Sequence, residues 1–158
     1  MSRNFIKIIL MALIFLNSAC SYKPIFSEKN YNFEINKVSF SGEKDINKII
    51  KSRLNLIKKT NQTNKLKYDV SILSEIDKKI ISKDSKGDPL KFELIVITSF
   101  KVKKNDNILL SKKIKKNNIY NNISDKFKLE QNEKSVIENL AEIKSDSIVS
   151  SIINIDDN

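Results

Sequence analysis

The side chain with the most definite chemistry in this sequence is the thiol of its only cysteine, Cys20. The residues before it follow an ordered layout: positive charges at Arg3 and Lys7, an apolar run over Ile8–Leu16, and then Asn17-Ser18-Ala19. This layout is typical of a bacterial secretory signal. The apolar run is too short to cross a bilayer, which takes about 20 residues. We therefore expect removal of residues 1–19 and acylation of Cys20, by a diacylglyceryl group on the thiol and a third chain on the freed amine.

The alternative is ordinary signal cleavage after Ala19, which would leave Cys20 as a free thiol. Asn17 fits neither pattern well, because a lipoprotein signal usually has an aliphatic residue at that place and ordinary cleavage requires a small one. A lone thiol is open to oxidation outside the cytoplasm, whereas acylation consumes it. More than one acyl chain is needed for stable anchoring, and a triacylated cysteine supplies them. The residue after Cys20 is Ser21 and not an aspartate, which favours passage of the lipoprotein to the outer membrane.

Other reactive groups are scarce. The chain has no histidine, which removes the commonest general base and metal ligand, and its two glycines cannot build a glycine-rich phosphate loop. Paired carboxylates could hydrolyse glycosidic bonds in principle. The acidic residues, however, lie on polar faces and in loops such as Asp84–Asp88 and Asp156-Asp157. We therefore predict a protein that is not an enzyme, with no catalytic residues, metal site or cofactor.

Size and charge limit the organisation further. Removing the first 19 of the 158 residues leaves 139, enough for one compact domain, and lowers the net charge from +10 to +8. A positive surface favours an acidic partner such as anionic lipid, nucleic acid or an acidic protein face. All but two of the 29 basic residues are lysines, however, and an excess of lysine, asparagine and isoleucine also arises from AT-rich genomes. Charge alone therefore does not identify the partner.

The hydrophobic pattern predicts the elements that follow an extended tether over residues 20–32. Phe33–Phe40 reads as a first strand whose alternation slips between Ile35 and Val38, and Lys44–Lys59 reads as an amphipathic helix. The apolar positions of that helix are Ile46, Ile49, Ile50, Leu54 and Ile57. A half-buried strand follows, in which Tyr68, Val70, Ile72 and Ile76 alternate with polar residues.

The second half predicts a hairpin and a long helix. Ser82–Pro89 is the strongest loop signal, Leu90–Lys104 a long strand, Asn105-Asp106-Asn107 a turn and Ile108–Ile114 a returning strand. The stretch from Asn117 to Asp125 reads as polar and irregular. A helix is expected from about Glu130 to Ile155, with its apolar positions at Val136, Ile137, Leu140, Ile143, Ile148, Ile152 and Ile155. The predicted fold is an α+β two-layer sandwich, with two helices on one face of a roughly four-stranded mixed sheet.

Several of these segments resemble one known family. The stretch Cys20–Phe26 resembles the C-G-F-x-P-L-Y start of the lipopolysaccharide-assembly lipoprotein LptE, particularly in its alphaproteobacterial form. Ile49–Leu54 is similar to the first helix of that family, Lys67–Ile72 to its Y-x-L-x-V strand and Leu90–Phe100 to a long strand entered from a loop. The end resembles the family from Ile119-Tyr120-Asn121 through Phe127 to the L-A-x-x-I pattern, here Leu140-Ala141-Glu142-Ile143. The resemblance covers nearly all of the mature chain; Asn17, Ser21 and the lysine-rich surface depart from it.

The resemblance implies a function. Members of the family fold as a two-layer α/β sandwich, sit as a plug in the β-barrel of the lipopolysaccharide translocon LptD, and help to assemble that barrel and deliver lipopolysaccharide. On this basis residues 1–19 are a signal peptide, 20–32 a lipidated tether and 33–158 an LptE-like domain, anchored to the outer membrane on its periplasmic side. The implied partners are the barrel, lipopolysaccharide and membrane lipid, without nucleic acid. The rival class is a pilotin-like or scaffold lipoprotein that binds no glycolipid.

Lysines concentrate on the last two predicted strands. If these strands pair about Asn105–Asn107, the lysines should gather along the outer face of the hairpin, towards the end away from the turn. One interpretation is a solvated edge that blocks aggregation of strands. The other is a site for the phosphates of lipid A or for inner-core sugar acids, to which an ammonium group is suited as a point charge. The candidate lipopolysaccharide-binding residues are Lys101, Lys103, Lys104, Lys112, Lys113, Lys115 and Lys116.

Overall fold

The computed structural model describes residues 33–58 and 66–156, so Cys20 and the tether lie outside the described residues. The elements are β1 (Phe33–Gly42), α1 (Lys44–Lys58), β2 (Leu66–Lys83), β3 (Pro89–Lys104), β4 (Asn107–Asn121) and α2 (Lys126–Asp156). The strands form one sheet in the order β1-β2-β3-β4, with β1 parallel to β2 and the other pairs antiparallel. Two helices thus pack on a four-stranded mixed sheet, as predicted.

The core lies between the helices and one face of the sheet. Because side chains alternate across a strand, each strand contributes every second residue to this face. Its members include Tyr68, Val70 and Ile72 from β2, and Val96, Phe100 and Val102 from β3. The helices bring Ile46, Ile50, Leu54 and Ile57 from α1, and Leu140, Ala141, Ile148, Val149 and Ile152 from α2. The predicted apolar faces of β2 and α1 are confirmed.

A β-bulge explains the break in the pattern of β1. Ile35 pairs with Tyr68 and Lys37 pairs with Asp69, so Asn36 is an extra residue in β1. Its Nδ2 donates a hydrogen bond of 2.9 Å to Oδ1 of Asp69. The extra residue returns Val38 to the helix side, which is the usual effect of a bulge on a strand. The slip between Ile35 and Val38 in the sequence is therefore a structural feature.

The junction from β1 to α1 is tied to β2 by a small polar network. The hydroxyl of Ser74, which is fully buried, lies 2.8 Å from Oδ1 of Asn47 and 3.1 Å from the carbonyl oxygen of Glu43. Nδ2 of Asn47 in turn donates to the carbonyl of Ser41 at 3.0 Å. Gly42 at this junction has a φ of 82°, in the left-handed region that favours glycine. The network fixes the point at which the chain leaves the sheet for the helix.

The two hairpins match their sequence signals. Asn105 and Asp106 have φ values of 48° and 67°, which is the conformation of a two-residue type I′ turn and suits Asn and Asp. The β2–β3 connection is held by Oδ1 of Asp84, which accepts the backbone N–H groups of Lys86 at 2.9 Å and Asp88 at 2.8 Å. Both turns were predicted from their residue types.

The structure corrects the sequence prediction for β4 and α2. β4 continues to Asn121, seven residues past its predicted end at Ile114 and into the stretch Asn117–Asp125 that is predicted to be irregular, because an edge strand needs only backbone pairing with β3. α2 begins at Lys126, four residues before the predicted start, and Oδ1 of Asp125 caps it by accepting the N–H of Lys128 at 3.1 Å. Ile143, predicted to be apolar and inward, is exposed, while Lys144 is buried.

Candidate functional site

The open face of the sheet is the surface opposite the helices. Its side chains form transverse rows, because the register aligns open-face positions from strand to strand. One row is Ser39–Ser71–Lys101–Ser111 and the next is Ser41–Leu73–Ser99–Lys113. These residues come from all four strands, and none of the residues around them belongs to a described helix. The open face is therefore a surface of the described domain that no described helix covers.

These two rows form a trough of about 710 Å³ across the sheet. Serine side chains are short, so they form the floor of the trough. The longer side chains of Leu73, Lys101 and Lys113 rise beside them. Ser41 donates its hydroxyl proton to the carbonyl of Ile72 at 3.2 Å. Within the part of the chain that the structure describes, the hydroxyls of Ser39, Ser71, Ser99 and Ser111 make no such bond. Hydroxyls beside ammonium groups suit an anionic, hydroxyl-bearing ligand.

The seven candidate lysines divide between the two faces of the sheet. Register and alternation place Lys101, Lys103, Lys113 and Lys115 on the open face and Lys104, Lys112 and Lys116 on the helix side. Lys112 Nζ donates to the hydroxyl of Ser151 in α2 at 3.3 Å. The expected gathering at the end away from the turn is wrong. The β3 lysines lie near the turn and the β4 lysines at mid-strand, because Phe100 pairs with Lys112 and Val96 with Lys116.

Charge on the open face is polarised beyond the trough. In the following rows Glu75 and Asp77 of β2 lie opposite Ile97 and Ile95 of β3. On the other side Ile97 pairs with Lys115 of β4. In these rows acidic groups therefore border β3 on the β2 side and Lys115 borders it on the β4 side, so an anion is attracted towards β4. The residue pattern did not predict the serines or this polarity, because these side chains come together only through the register of the assembled sheet.

Lys144 is an unexpected feature of the helix layer. Its side chain is fully buried and Nζ donates to the backbone carbonyl of Ile114 in β4. Burial, and next the charge of Lys116, lower its pKa from 10.5 to about 8. Its place between Leu140 and Ile148, at helical spacing, is the signal that sequence reasoning could have used. This hydrogen bond connects α2 to the edge strand β4, and we assign it no catalytic role.

A second polar contact holds the start of α2. Lys78 of β2 forms an ion pair with Glu133, and its Nζ lies 4.3 Å from the ring centroid of Phe92. The ring of Phe92 lies 5.6 Å from that of Tyr120. Burial, and next the Glu133 carboxylate, raise the pKa of the Tyr120 hydroxyl above its usual range. This cluster positions the helix on the sheet, and we assign it no ligand.

Three further observations concern chemistry and membrane contact. Over residues 33–58 and 66–156 no three histidine, cysteine, aspartate or glutamate residues come together as metal ligands could. In the same residues neither helix combines the length and apolarity required to span a bilayer. Cys20, the predicted lipidation site, lies outside this part of the chain. The candidate site among the described residues is therefore the open, partly basic face of the sheet.

Comparison with known proteins supports the fold and goes no further. No protein-family model matches the chain, and no curated protein matches its sequence. Solved structures do resemble it. An uncharacterized lipoprotein B from Nitrosomonas europaea is 15% identical and has a TM-score of 0.64, covering 84% of this chain and 90% of that one.

Two further structures agree. Rare lipoprotein B from Shewanella oneidensis is 16% identical with a TM-score of 0.57, over 74% of this chain and 93% of that one. A minor lipoprotein from Acinetobacter baumannii is also 16% identical, with a TM-score of 0.51, over 74% of this chain and 94% of that one. At this level of identity the likeness establishes a shared fold.

Proposed function

We propose that this protein is an outer-membrane lipoprotein that assists lipopolysaccharide assembly as plug and assembly partner of an LptD-type β-barrel. The observation that carries the proposal is the combination of two features. The first is a residue layout typical of a secretory signal, which ends at the only cysteine of the chain. Its domain shares its fold with three solved lipoproteins over most of their length. The barrel as partner and the glycolipid as ligand are proposed because the segments of the chain resemble the LptE family in the same order.

The first test of this proposal concerns the anchor. If Cys20 is acylated, the intact mass of the mature protein corresponds to a chain that begins at Cys20 and carries three acyl groups. Cys20→Ser should yield an unlipidated protein that is no longer firmly held by the membrane, unless the barrel alone retains it. An unmodified thiol, or a mature start at another residue, would contradict the lipoprotein proposal.

The open face suggests where an acidic glycolipid would bind. Lys101 and Lys113 border the serine trough, and Lys115 is the next open-face residue of β4 after Lys113. Lipid A phosphates could meet these ammonium groups while sugar hydroxyls meet the serines. Lys112 is a weaker candidate, because its Nζ is directed to Ser151 on the helix side. Of the seven candidate lysines, those proposed to bind glycolipid are therefore the ones on the open face, Lys101, Lys103, Lys113 and Lys115.

Charge reversal on this face separates glycolipid binding from simple solubility. Lys113→Glu with Lys115→Glu should weaken lipopolysaccharide binding, with the effect largest at low salt. These side chains are exposed, so the melting temperature should hardly change. The matched control is Lys48→Glu with Lys51→Glu, at exposed positions of α1 in the opposite layer of the domain, which makes the same change of net charge. Equal binding by the first variant and the parent would leave the lysines as solubility residues and favour the scaffold alternative.

A further inference from the structure

The turn end of the domain is the edge that carries Phe33, Leu66 and the β3–β4 turn with its flanking residues Lys103–Leu109. We propose that, in the anchored protein before it enters a barrel, this turn end rests on the phospholipid leaflet that holds the acylated Cys20. The inference relies on the proposed lipidation and adds an orientation of the domain and a lipid-contacting surface. Its partner is the headgroup region of an anionic bilayer.

The point of attachment comes from the register of the sheet. Phe33 begins β1 and pairs with Leu66, while Asp69 three residues further pairs with Lys103, and Lys103 pairs with Ile108. The chain from Cys20 therefore enters the domain at the turn end.

Chain length excludes the inverted orientation. The thirteen peptide steps from Cys20 to Phe33 reach at most about 45 Å when fully extended. β2, with 18 residues, is roughly 55 Å long. If the β2–β3 loop met the membrane with the strands upright, Phe33 would lie beyond the reach of the tether.

Apolar side chains are exposed at both ends of the sheet, and near the β2–β3 loop Ile80 and Leu90 are 48% and 47% exposed. The reach of the tether therefore selects the end that meets the membrane, and the turn end has apolar side chains that can enter it. Ile108 is 56% exposed, Leu109 42% and Leu66 36%, although all three lie in strands. Behind Leu109 a groove of about 390 Å³ runs between β4 and α2, lined by Leu109, Leu110, Lys112, Ser151, Asn154 and Ile155. Apolar groups that enter the headgroup and acyl boundary give peripheral proteins their membrane affinity. The groove has space for the upper part of one acyl chain.

Basic side chains flank the apolar ones. Lys103 and Lys104 lead directly into the turn, and the Lys67 side chain on β2 is 68% exposed beside Leu66. Lysines at the level of the lipid headgroups attract the phosphates of an anionic leaflet. Two acidic groups oppose the attraction: Asp106 in the turn itself, and Glu34, whose carboxylate lies 3.8 Å from Nζ of Lys67. Apolar residues beside lysines are the combination that contact with an anionic lipid surface requires.

The test uses the lipidated mature protein in vesicles of phosphatidylethanolamine and phosphatidylglycerol. Acylation consumes the only native thiol, so an introduced cysteine is the sole site for a thiol-reactive, environment-sensitive fluorophore. The two positions compared are Asn107→Cys at the turn end and Lys86→Cys in the β2–β3 loop, both exposed. We expect brominated lipids to quench the label at 107 and to leave the label at 86 unquenched.

Charge variants test the lipid contact itself. In protein labelled at 107, Lys103→Glu with Lys104→Glu should lower the fraction in contact with the bilayer, because each lysine contributes about fivefold to binding at an anionic surface. The matched control is Lys83→Glu with Lys86→Glu at the other end of the sheet, which should leave quenching unchanged. Vesicles of phosphatidylcholine should reduce the quenching of the parent protein.

Each other outcome overturns the proposal. Equal quenching at 107 and 86 would mean that the domain lies flat, and a lipidated protein unquenched at 107 would mean that the turn end is in water. Either result leaves the lipoprotein proposal intact. An intact mass without acyl groups would instead refute the anchor and, with it, this placement of the domain.

Discussion

At the residue scale, Gly42 shows how the absence of a side chain permits the junction between β1 and α1. A Cβ at this position would lie 1.9 Å from the carbonyl oxygen of Ser74, which is backbone and cannot swing aside. The same oxygen accepts the N–H of Glu43 at 3.0 Å. We expect Gly42→Ala to lower the free energy of unfolding by roughly 3 kcal/mol or more, measured by urea denaturation.

Gly87 provides the control for this prediction. Its φ of 89° is as unfavourable for an L-residue as that of Gly42, but a Cβ there would meet no atom within 4 Å. Gly87→Ala should therefore cost only about 1 kcal/mol, the price of the left-handed backbone. Equal losses in the two variants would show that backbone conformation, and not the close approach to Ser74, is what matters at Gly42.

Lys144 gives the stability a definite pH dependence. Its pKa is lowered in the folded protein, so between about pH 8 and 10.5 the unfolded chain binds more protons at this group. Stability should therefore rise as the pH increases through this window, while below pH 8 the penalty of a buried ammonium is fully present. We expect a gain on the order of 1 kcal/mol between pH 7.5 and 9.5.

The Lys144→Met variant isolates this contribution. Methionine fills similar space without a charge, so the variant should lack that part of the rise with pH when unfolding is followed by urea denaturation. Lys134→Met, at an exposed position of the same helix, should keep the rise of the parent protein. Measurements end at pH 9.5, because the raised pKa of Tyr120 gives a stability that is lost above pH 10. An identical slope in the Lys144→Met protein would refute the assignment.

At the element scale, local signals in the sequence predicted most of the fold. Alternation gave β2 and β3, the slip at Asn36 marked the bulge in β1, and Asn105-Asp106 marked the turn. The prediction failed where tertiary pairing replaces local preference. β4 has polar residues through Asn121 because its partner strand supplies the hydrogen bonds, and α2 begins before its apolar stripe because Asp125 caps it.

The same scale gives a test of the core. Val70 is 2% exposed and pairs with Val38 and Val102 in the centre of the sheet. Val70→Asp would bury a carboxylate without a partner, at a cost of several kcal/mol, so the domain should unfold and the level of the partner barrel should fall. Ser52→Asp, at an exposed position of α1 outside the serine trough, should stay folded with a change within about 0.5 kcal/mol. Circular dichroism and the amount of barrel in the outer membrane report the two effects.

At the scale of the whole molecule, the sequence predicted the fold class but located the candidate site poorly. The lysines could be counted in advance, yet their division between two faces depends on the register of β3 against β4. The serine trough was missed because its members are distant in sequence and meet only across the assembled sheet. A surface built by register is the kind of feature that periodicity within one segment cannot reveal.

The most direct test of the central claim is co-purification of the lipidated protein from detergent-solubilised outer membranes, with partners identified and counted by mass spectrometry. A plug requires a single copy in each barrel, so the account predicts a one-to-one complex with a large LptD-type β-barrel and lipopolysaccharide associated with that complex. The Val70→Asp protein should fail to recover it, and the Ser52→Asp protein should recover it fully. A protein that purifies as a stable homodimer, or alone and without effect on the barrel, would contradict the account and favour the scaffold alternative.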